Sequence, residues 1–188
     1  MKFTFDTNCL IDLDLGRPNA TKVEELISAH RAGNAEVAFV AVSASERQPG
    51  DRFLDSFCDF EARLKKLNVD DIPLLLGIAY SDISYWDHAV DPDEECDLEE
   101  RIHNVLFPTV AFNYSDFKRL TPEATGDTLA DKKWRNRWCD RQMMWAHITN
   151  GRDIFVTSDS NFRKIDGAEG FEAVRVRTPE EAVNCLVC

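Results

Sequence analysis

Polar and aromatic side chains alternate from Lys2 to Phe5, the period of a half-buried strand, and Asp6-Thr7-Asn8 follows with turn-forming polar residues. The spacing Thr21-Lys22-Val23-Glu24 predicts a capped helix start, with Val23, Leu26 and Ile27 as its apolar stripe and Gly33-Asn34 as its stop. Val37 to Val42 is a continuous apolar run, which suits a strand buried on both faces of a parallel sheet. Strand, helix and strand in that order imply a right-handed crossover.

Beyond Pro49-Gly50, Phe53, Phe57, Phe60, Leu64 and Leu67 recur at three- and four-residue steps and predict a long amphipathic helix. Leu74-Leu75-Leu76 reads as a short strand or a helix. An acidic run, Asp91 to Asp97, leads into a helix with Leu98, Ile102, Val105 and Leu106 on one face, ended by Pro108. Thr121-Pro122-Glu123 predicts a helix entry, interrupted by Gly126, and Leu129 to Thr149 carries Trp134, Trp138, Trp145 and Ile148 in helical register before Asn150-Gly151. Ile154 to Thr157 predicts a short buried strand that turns at Ser158-Asp159-Ser160, and Glu172 to Arg177 alternates as an edge strand does. Thr178-Pro179-Glu180-Glu181 then caps a final helix through Leu186. The expected fold is α/β, a three-layer α/β/α sandwich on a central, mostly parallel sheet, formed by one domain over 1–188 with a helical insertion around 50–130.

Apolar residues make up 44% of the 188-residue chain, enough to fill one core. Lysine and arginine number 22 against 34 aspartates and glutamates, a net charge of −12, which argues against membrane adhesion and a non-specific nucleic-acid coat. It does not argue against an enzyme whose carboxylates gather metal ions. The six cysteines lack paired spacing except Cys185 and Cys188, and the four histidines are scattered, so reduced thiols in the cytoplasm are expected. Neither a leader at Met1 to Asp6 nor a membrane span of about 20 apolar residues is expected.

In open α/β sheets ligands bind beyond the carboxyl ends of the strands. Asp6 and Asp159 each follow a predicted strand, and Glu46 follows the Val37–Val42 run by four residues, so three acids share that edge. Asp140 lies two to three turns back on the helix that leads to the Ile154 strand, on the order of 15 Å at 1.5 Å per residue. Carboxylates brought together repel unless neutralised, and hard oxygen ligands suit Mg²⁺ or Mn²⁺. Two such ions can activate water and stabilise the entering and leaving oxygens of a phosphodiester displacement. Each acid also has a bland alternative: Asp6 could cap the following helix, and Glu46 beside Arg47 could be a surface ion pair.

Phe5-Asp6-Thr7-Asn8-Cys9-Leu10-Ile11 resembles the opening strand and turn of PIN-domain ribonucleases. Val42-Ser43-Ala44-Ser45-Glu46 resembles the family's second acidic position, and Val156-Thr157-Ser158-Asp159-Ser160-Asn161-Phe162 its late Thr-x-Asp-x-x-Phe motif. The resemblance covers both ends of the chain and little of the middle. It implies that Asp140, before Met143-Met144-Trp145-Ala146, is the third acid, that Asp6, Glu46, Asp140 and Asp159 are metal-binding and catalytic, and that Asn8 and Thr157 orient them. Asp131 is an alternative to Asp140. RNA is the implied substrate, and many prokaryotic members are toxins restrained by a protein antitoxin. The 50–130 segment could form a lid, a homodimer surface or a partner site.

Lys132, Lys133, Arg135, Arg137 and Arg141 form the one locally basic stretch, able to meet RNA phosphates with Trp134 and Trp138 stacking on bases, or else to be a solvated helix face over core tryptophans. His147 is expected to be structural. Other classes fare worse. A haloacid-dehalogenase-type phosphatase needs a second aspartate two residues after the first, where this chain has Asn8, and a dinucleotide-binding turn needs glycines that Asp6 to Leu15 lacks. A non-catalytic module on the same fold would have acids that fail to bind metal.

Overall fold

The computed structural model of the protein describes residues 1–46, 53–80, 83–90 and 97–187. In chain order its elements are β1 (Lys2–Phe5), α1 (Thr7–Leu15), α2 (Ala20–Arg31), β2 (Glu36–Val40), α3 (Phe57–Lys66), β3 (Leu74–Leu75), β4 (Gly77–Ile78), β5 (Ala89–Val90), α4 (Asp97–Leu106), α5 (Tyr114–Leu120), α6 (Leu129–Thr149), β6 (Ile154–Val156), β7 (Val176–Arg177) and α7 (Pro179–Asn184). Five strands form one parallel sheet in the order β3-β2-β1-β6-β7, with Phe3 level with Val37 and Phe5 with Val156.

Period-two alternation divides the sheet's side chains between two apolar cores. Phe3, Phe5, Val37, Phe39, Ile154 and Val156 pack with Leu10 of α1, Leu26 of α2 and Phe60 of α3. Val40, Phe155 and Val176 join Ile102 of α4 and Trp138 and Met143 of α6. Helices therefore cover both faces, which is why these strands lack an exposed polar side. Thr4 is the polar exception, and its hydroxyl meets buried His147 Nδ1 of α6 at 3.0 Å.

β1 stands between β2 and β6. The chain builds one side of the sheet through β2 and β3, then crosses to the other through β6 and β7, so the strand order reverses beside β1. At such a switch point the connections leave in opposite directions and open a crevice at the strands' carboxyl ends. Asp6 and Thr157 are the first residues past β1 and β6.

Several elements depart from the sequence pattern. Asp6-Thr7-Asn8 enters α1 at once instead of turning, and α2 starts at Ala20, so Thr21 does not cap it. Phe53 lies outside α3, which begins where Ser56 and Asp59 close a capping box. No helix begins at Thr121; α5 ends there, and Pro122 and Glu123 form a turn. Leu74–Leu75 pairs with β2, so part of the 50–130 segment is built into the central sheet. β4 and β5 form a separate parallel pair beside α6, where Ile78 N donates to Gln142 Oε1 at 2.9 Å. Gly77 lies against the same residue: a Cβ there would sit 3.4 Å from that of Gln142, in close van der Waals contact. Arg47, Pro49-Gly50 and most of the acidic run before α4 lie outside the described residues. Among the described residues no helix is long and apolar enough to cross a membrane.

Candidate active site

Asp6 continues the ladder of β1 through its N–H to Val156 O (3.0 Å) and is 2% exposed. It occupies the position before α1, yet its side chain makes no capping bond. Its Oδ2 accepts instead from Thr157 Oγ1 at 2.5 Å and Asn8 Nδ2 at 2.8 Å. Burial pushes this carboxyl up to about 6; the Thr157 and Asn8 hydrogen bonds work against the rise, and the charge of Asp159 adds to it.

Asp140 sits partly buried in the middle of α6. Its carboxyl is held well above the usual range, first by burial, then by the charges of Glu46, Asp6 and Asp159, with Arg137 opposing. Acids separated by up to 153 residues in the chain, Asp6, Glu46 and Asp159, thus all bear on the Asp140 carboxyl.

Asp159 does two things. Its Oδ1 accepts from Asn161 N at 2.8 Å, capping the 3-10 turn Ser160–Ile165, while its N–H donates to Thr157 Oγ1 at 2.9 Å. Thr157 therefore joins Asp159 to Asp6 through one buried hydroxyl. Two similar bridges were not apparent in the sequence. Thr7, next to Asp6, donates to Ser43 Oγ at 2.8 Å, three residues before Glu46. Arg135 on α6 donates through Nε to Ser45 O at 2.8 Å, one residue before Glu46. A third tie holds the Asp159 loop from below: Asn19 Nδ2 reaches Ser158 Oγ at 3.0 Å and Asp12 Oδ2 at 3.2 Å. Thr7, Ser43, Ser45 and Ser158 lie within the stretches that carry the acids, but nothing in the sequence assigned them these bonds, and Asn19 and Arg135 lie outside those stretches.

Asp131 has a different task. It closes the capping box of α6 with Thr128 and accepts from Tyr114 Oη (2.6 Å) and Gly126 N (2.9 Å). Burial alone would raise its carboxyl, but the bonds from Thr128 and Tyr114 outweigh that and hold it well below the usual range. Its oxygens are committed to the helix end.

The basic stretch divides in the same way. Lys133 is exposed, Lys132 pairs loosely with Asp127 at 3.9 Å, and Arg137 reaches Asp140 electrostatically. Arg135 departs from the expected nucleic-acid face: it turns inward, its guanidinium 3.8 Å from the centre of the Phe53 ring. Arg141 is buried against Glu99 (2.6 Å) and Phe112 O (2.9 Å). Trp134 and Trp138 are 2% and 1% exposed, core residues that cannot stack on a base in this fold. His147 is buried too, which drives its ring down to about 3 and keeps it neutral beside Thr4.

As the side chains stand, no three His, Cys, Asp or Glu among the described residues are close enough together to hold a metal ion. Asp140 is near enough to the other three acids to be raised by their charges. Comparison of the chain with protein-family models, curated proteins and solved structures found no match in any of the three.

Proposed function

We propose that the protein is a Mg²⁺- or Mn²⁺-dependent nuclease built as a PIN-like three-layer α/β/α sandwich, hydrolysing phosphodiester bonds in RNA. The observation that carries this reading is that Asp6 and Asp140 are both raised, Asp140 by burial and the charges of Glu46, Asp6 and Asp159, and Asp6, the first residue past β1, by burial and the charge of Asp159. Grouping carboxylates there destabilises the fold at neutral pH unless a cation compensates, and a donor set of carboxylate oxygens matches hard divalent ions.

Asp6 and Asp140 would be the principal ligands, with Glu46 and Asp159 completing the set directly or through water. When bound, the ions supply charge neutralisation and an acidified water for attack on the phosphodiester. Thr157 and Asn8 fix the orientation of Asp6 by holding one of its oxygens. Arg137, near Asp140, offers a cation to the substrate phosphates at the rim. The choice of RNA rests on the resemblance of Phe5-Asp6-Thr7-Asn8 and Thr157-Ser158-Asp159 to PIN-domain ribonucleases.

The test is incubation of purified protein with labelled single-stranded RNA and DNA, in Mn²⁺ or EDTA, beside Asp6→Asn and Asp140→Asn. Cleavage of RNA that EDTA stops and that both substitutions reduce to background is the expected result. Cutting by Asp6→Asn at the wild-type rate would remove the site from the reaction. Absence of both cleavage and Mn²⁺ binding would leave a non-catalytic module.

A further inference from the structure

We propose that His103 is an acid-sensitive latch: a proton added to its Nδ1 frees the connection 107–113, between α4 and α5, from α6. The device stands apart from the nuclease reading and uses none of its four acids.

Three successive carbonyls of that connection each accept from a buried side chain. Val110 O takes His103 Nε2 at 2.7 Å, Ala111 O takes Trp134 Nε1 at 3.2 Å, and Phe112 O takes Arg141 Nη1 at 2.9 Å. His103 belongs to α4 and the other two to α6, so the side chains of two helices grip a stretch of backbone that a loop ordinarily leaves to water. The Phe112 ring completes the grip, with the Arg141 guanidinium 4.3 Å from its centre and the His103 ring edge-on at 5.3 Å.

The same contacts fix the protonation state of His103. A carbonyl only accepts, so the contact with Val110 O requires a proton on Nε2. A guanidinium only donates, so the 3.2 Å contact between Nδ1 and Arg141 Nη1 requires a bare lone pair on Nδ1. The ring is therefore the neutral Nε2–H form. A proton taken from water by Nδ1 turns that acceptor into a donor facing a donor. It also sets a second cation against Arg141, with the two residues only 1% and 2% exposed.

The surrounding charges oppose the added proton. Arg141 and Arg137 on α6 both act against it, and Glu100 on α4, which favours it, is exposed. Glu99 is spent on Arg141 Nε at 2.6 Å and Gln142 Nε2 at 2.5 Å. The 3-10 turn Ser160–Ile165, packed on the same helix, brings one more cation, Lys164, whose Nζ is 3.0 Å from Leu106 O. Burial is the largest effect holding the ring below its ordinary value of 6.5; the Val110 bond works against it and the two arginines add to it. His103 thus binds a proton less tightly with the latch closed than open. Closure is complete above about pH 6.5 and is lost as pH falls. α5 stays behind, because Tyr114 Oη donates to Asp131 Oδ1 at 2.6 Å and the Tyr114 ring packs on Trp134.

The experiment is NMR of the full chain from pH 8 to pH 5, wild type beside His103→Gln, whose amide keeps a donor and an acceptor but takes no proton. It follows the His103 ring nitrogens and the exchange of three N–H groups: the Val110 amide, bonded to Phe107 O, the Trp134 indole, and the Phe117 amide, bonded to Asn113 O within α5. In wild type the ring is expected as the Nε2–H form at pH 8. With the intrinsic pH dependence of exchange removed, opening at Val110 and at the Trp134 indole should grow by up to about tenfold per pH unit below about 6.5, in step with the ring's own titration. Phe117 should not follow, and His103→Gln should show no growth. If that variant does not fold, the wild-type contrast of Val110 and Trp134 with Phe117 carries the test. A ring protonated on Nδ1 at pH 8, a pH-independent opening in wild type, or equal growth in the Gln variant would overturn the latch. So would a rise that Phe117 shares, since the whole chain would then be opening.

Discussion

Thr157 shows how much one side chain carries. Its hydroxyl proton goes to Asp6, its lone pair accepts from the N–H of Asp159, and its backbone N–H continues the sheet to Arg177 O at 2.9 Å. Valine has nearly the same shape and fits the 3%-exposed site, but it leaves the Asp159 N–H unpaired and the Asp6 carboxylate short of a donor. Thr157→Val is therefore expected to cost about 1–3 kcal/mol at neutral pH, the penalty for stranding buried polar groups, and to slow metal-dependent cleavage by about 10–100-fold. Thr157→Ser should retain both. Melting curves and single-turnover rates for the pair check this, and a Val variant equal to wild type in both would show that the bridge is incidental. Asp6 and Asp159 were legible in the sequence because strand tips advertise themselves: an apolar run that stops at a carboxylate places it at a known edge, whereas Asp140, inside a helix, came only from the family resemblance. Thr157 was legible through its motif. Thr7, Ser43 and Ser45 were not, since a hydroxyl that bridges two segments looks the same in a sequence as one in water.

Elements explain which acid belongs to the site and which to the scaffold. α6 was readable end to end, Leu129 to Thr149, because its tryptophans recur in register and Asn150-Gly151 stops it; the capping box of Thr128 with Asp131 that starts it was not read. Two acids nine residues apart on one helix could not be told apart by spacing, but their surroundings separate them: Asp131 receives several donors, and Asp140 receives mostly negative charge. Asp131→Ala should accordingly lower the melting temperature by removing a cap, about 1–2 kcal/mol or somewhat more with the Tyr114 bond, without changing the Mn²⁺ dependence of cleavage. Asp140→Asn should leave the fold intact, or stabilise it in EDTA, and eliminate Mn²⁺ binding. Calorimetric titration of both variants decides the matter, and the reversed pattern would return the third position to Asp131. α1 was missed because Asp6-Thr7-Asn8 has the composition of a turn; the buried Cys9, Leu10 and Asp12 make it a helix through packing that local propensity does not encode. The entry predicted at Thr121 failed for the opposite reason. Its turn chemistry ends a helix as readily as it starts one, and Phe117, packed into the core, had already drawn α5 into place.

At the scale of the whole molecule, two buried groups make the fold respond to pH in opposite senses. Asp6, raised to about 6 from an ordinary value of 3.8, holds its proton more tightly folded than unfolded. Its stabilising contribution is complete below about pH 3.8, lost as pH rises through about 6, and amounts to about 3 kcal/mol across that window. Asp140, raised in the same direction, acts with it. His147, lowered to about 3 from 6.5, binds its proton less tightly folded. Its contribution is complete above pH 6.5 and lost as pH falls toward 3. In EDTA the two carboxyls outweigh the His147 imidazole, so wild-type stability should decline as pH rises from about 4 to 6.5 and gain nothing toward pH 8. Asp6→Asn removes the part of the loss due to that ionisation, so it should be more stable than wild type at pH 8, should lose that advantage near pH 4, and should show a flatter profile between them because His147 then offsets Asp140 alone. Mn²⁺ binds only ionised carboxylates, so it should raise the wild-type melting temperature strongly at pH 7.5, weakly at pH 5, and little in Asp6→Asn at either pH. Denaturant unfolding of both proteins across this range, with and without Mn²⁺, measures all of these slopes. Parallel EDTA profiles for wild type and Asp6→Asn from pH 4 to 8 would mean that the Asp6 carboxyl ionises no differently folded than unfolded, and the cation would then have no strained charge at Asp6 to relieve.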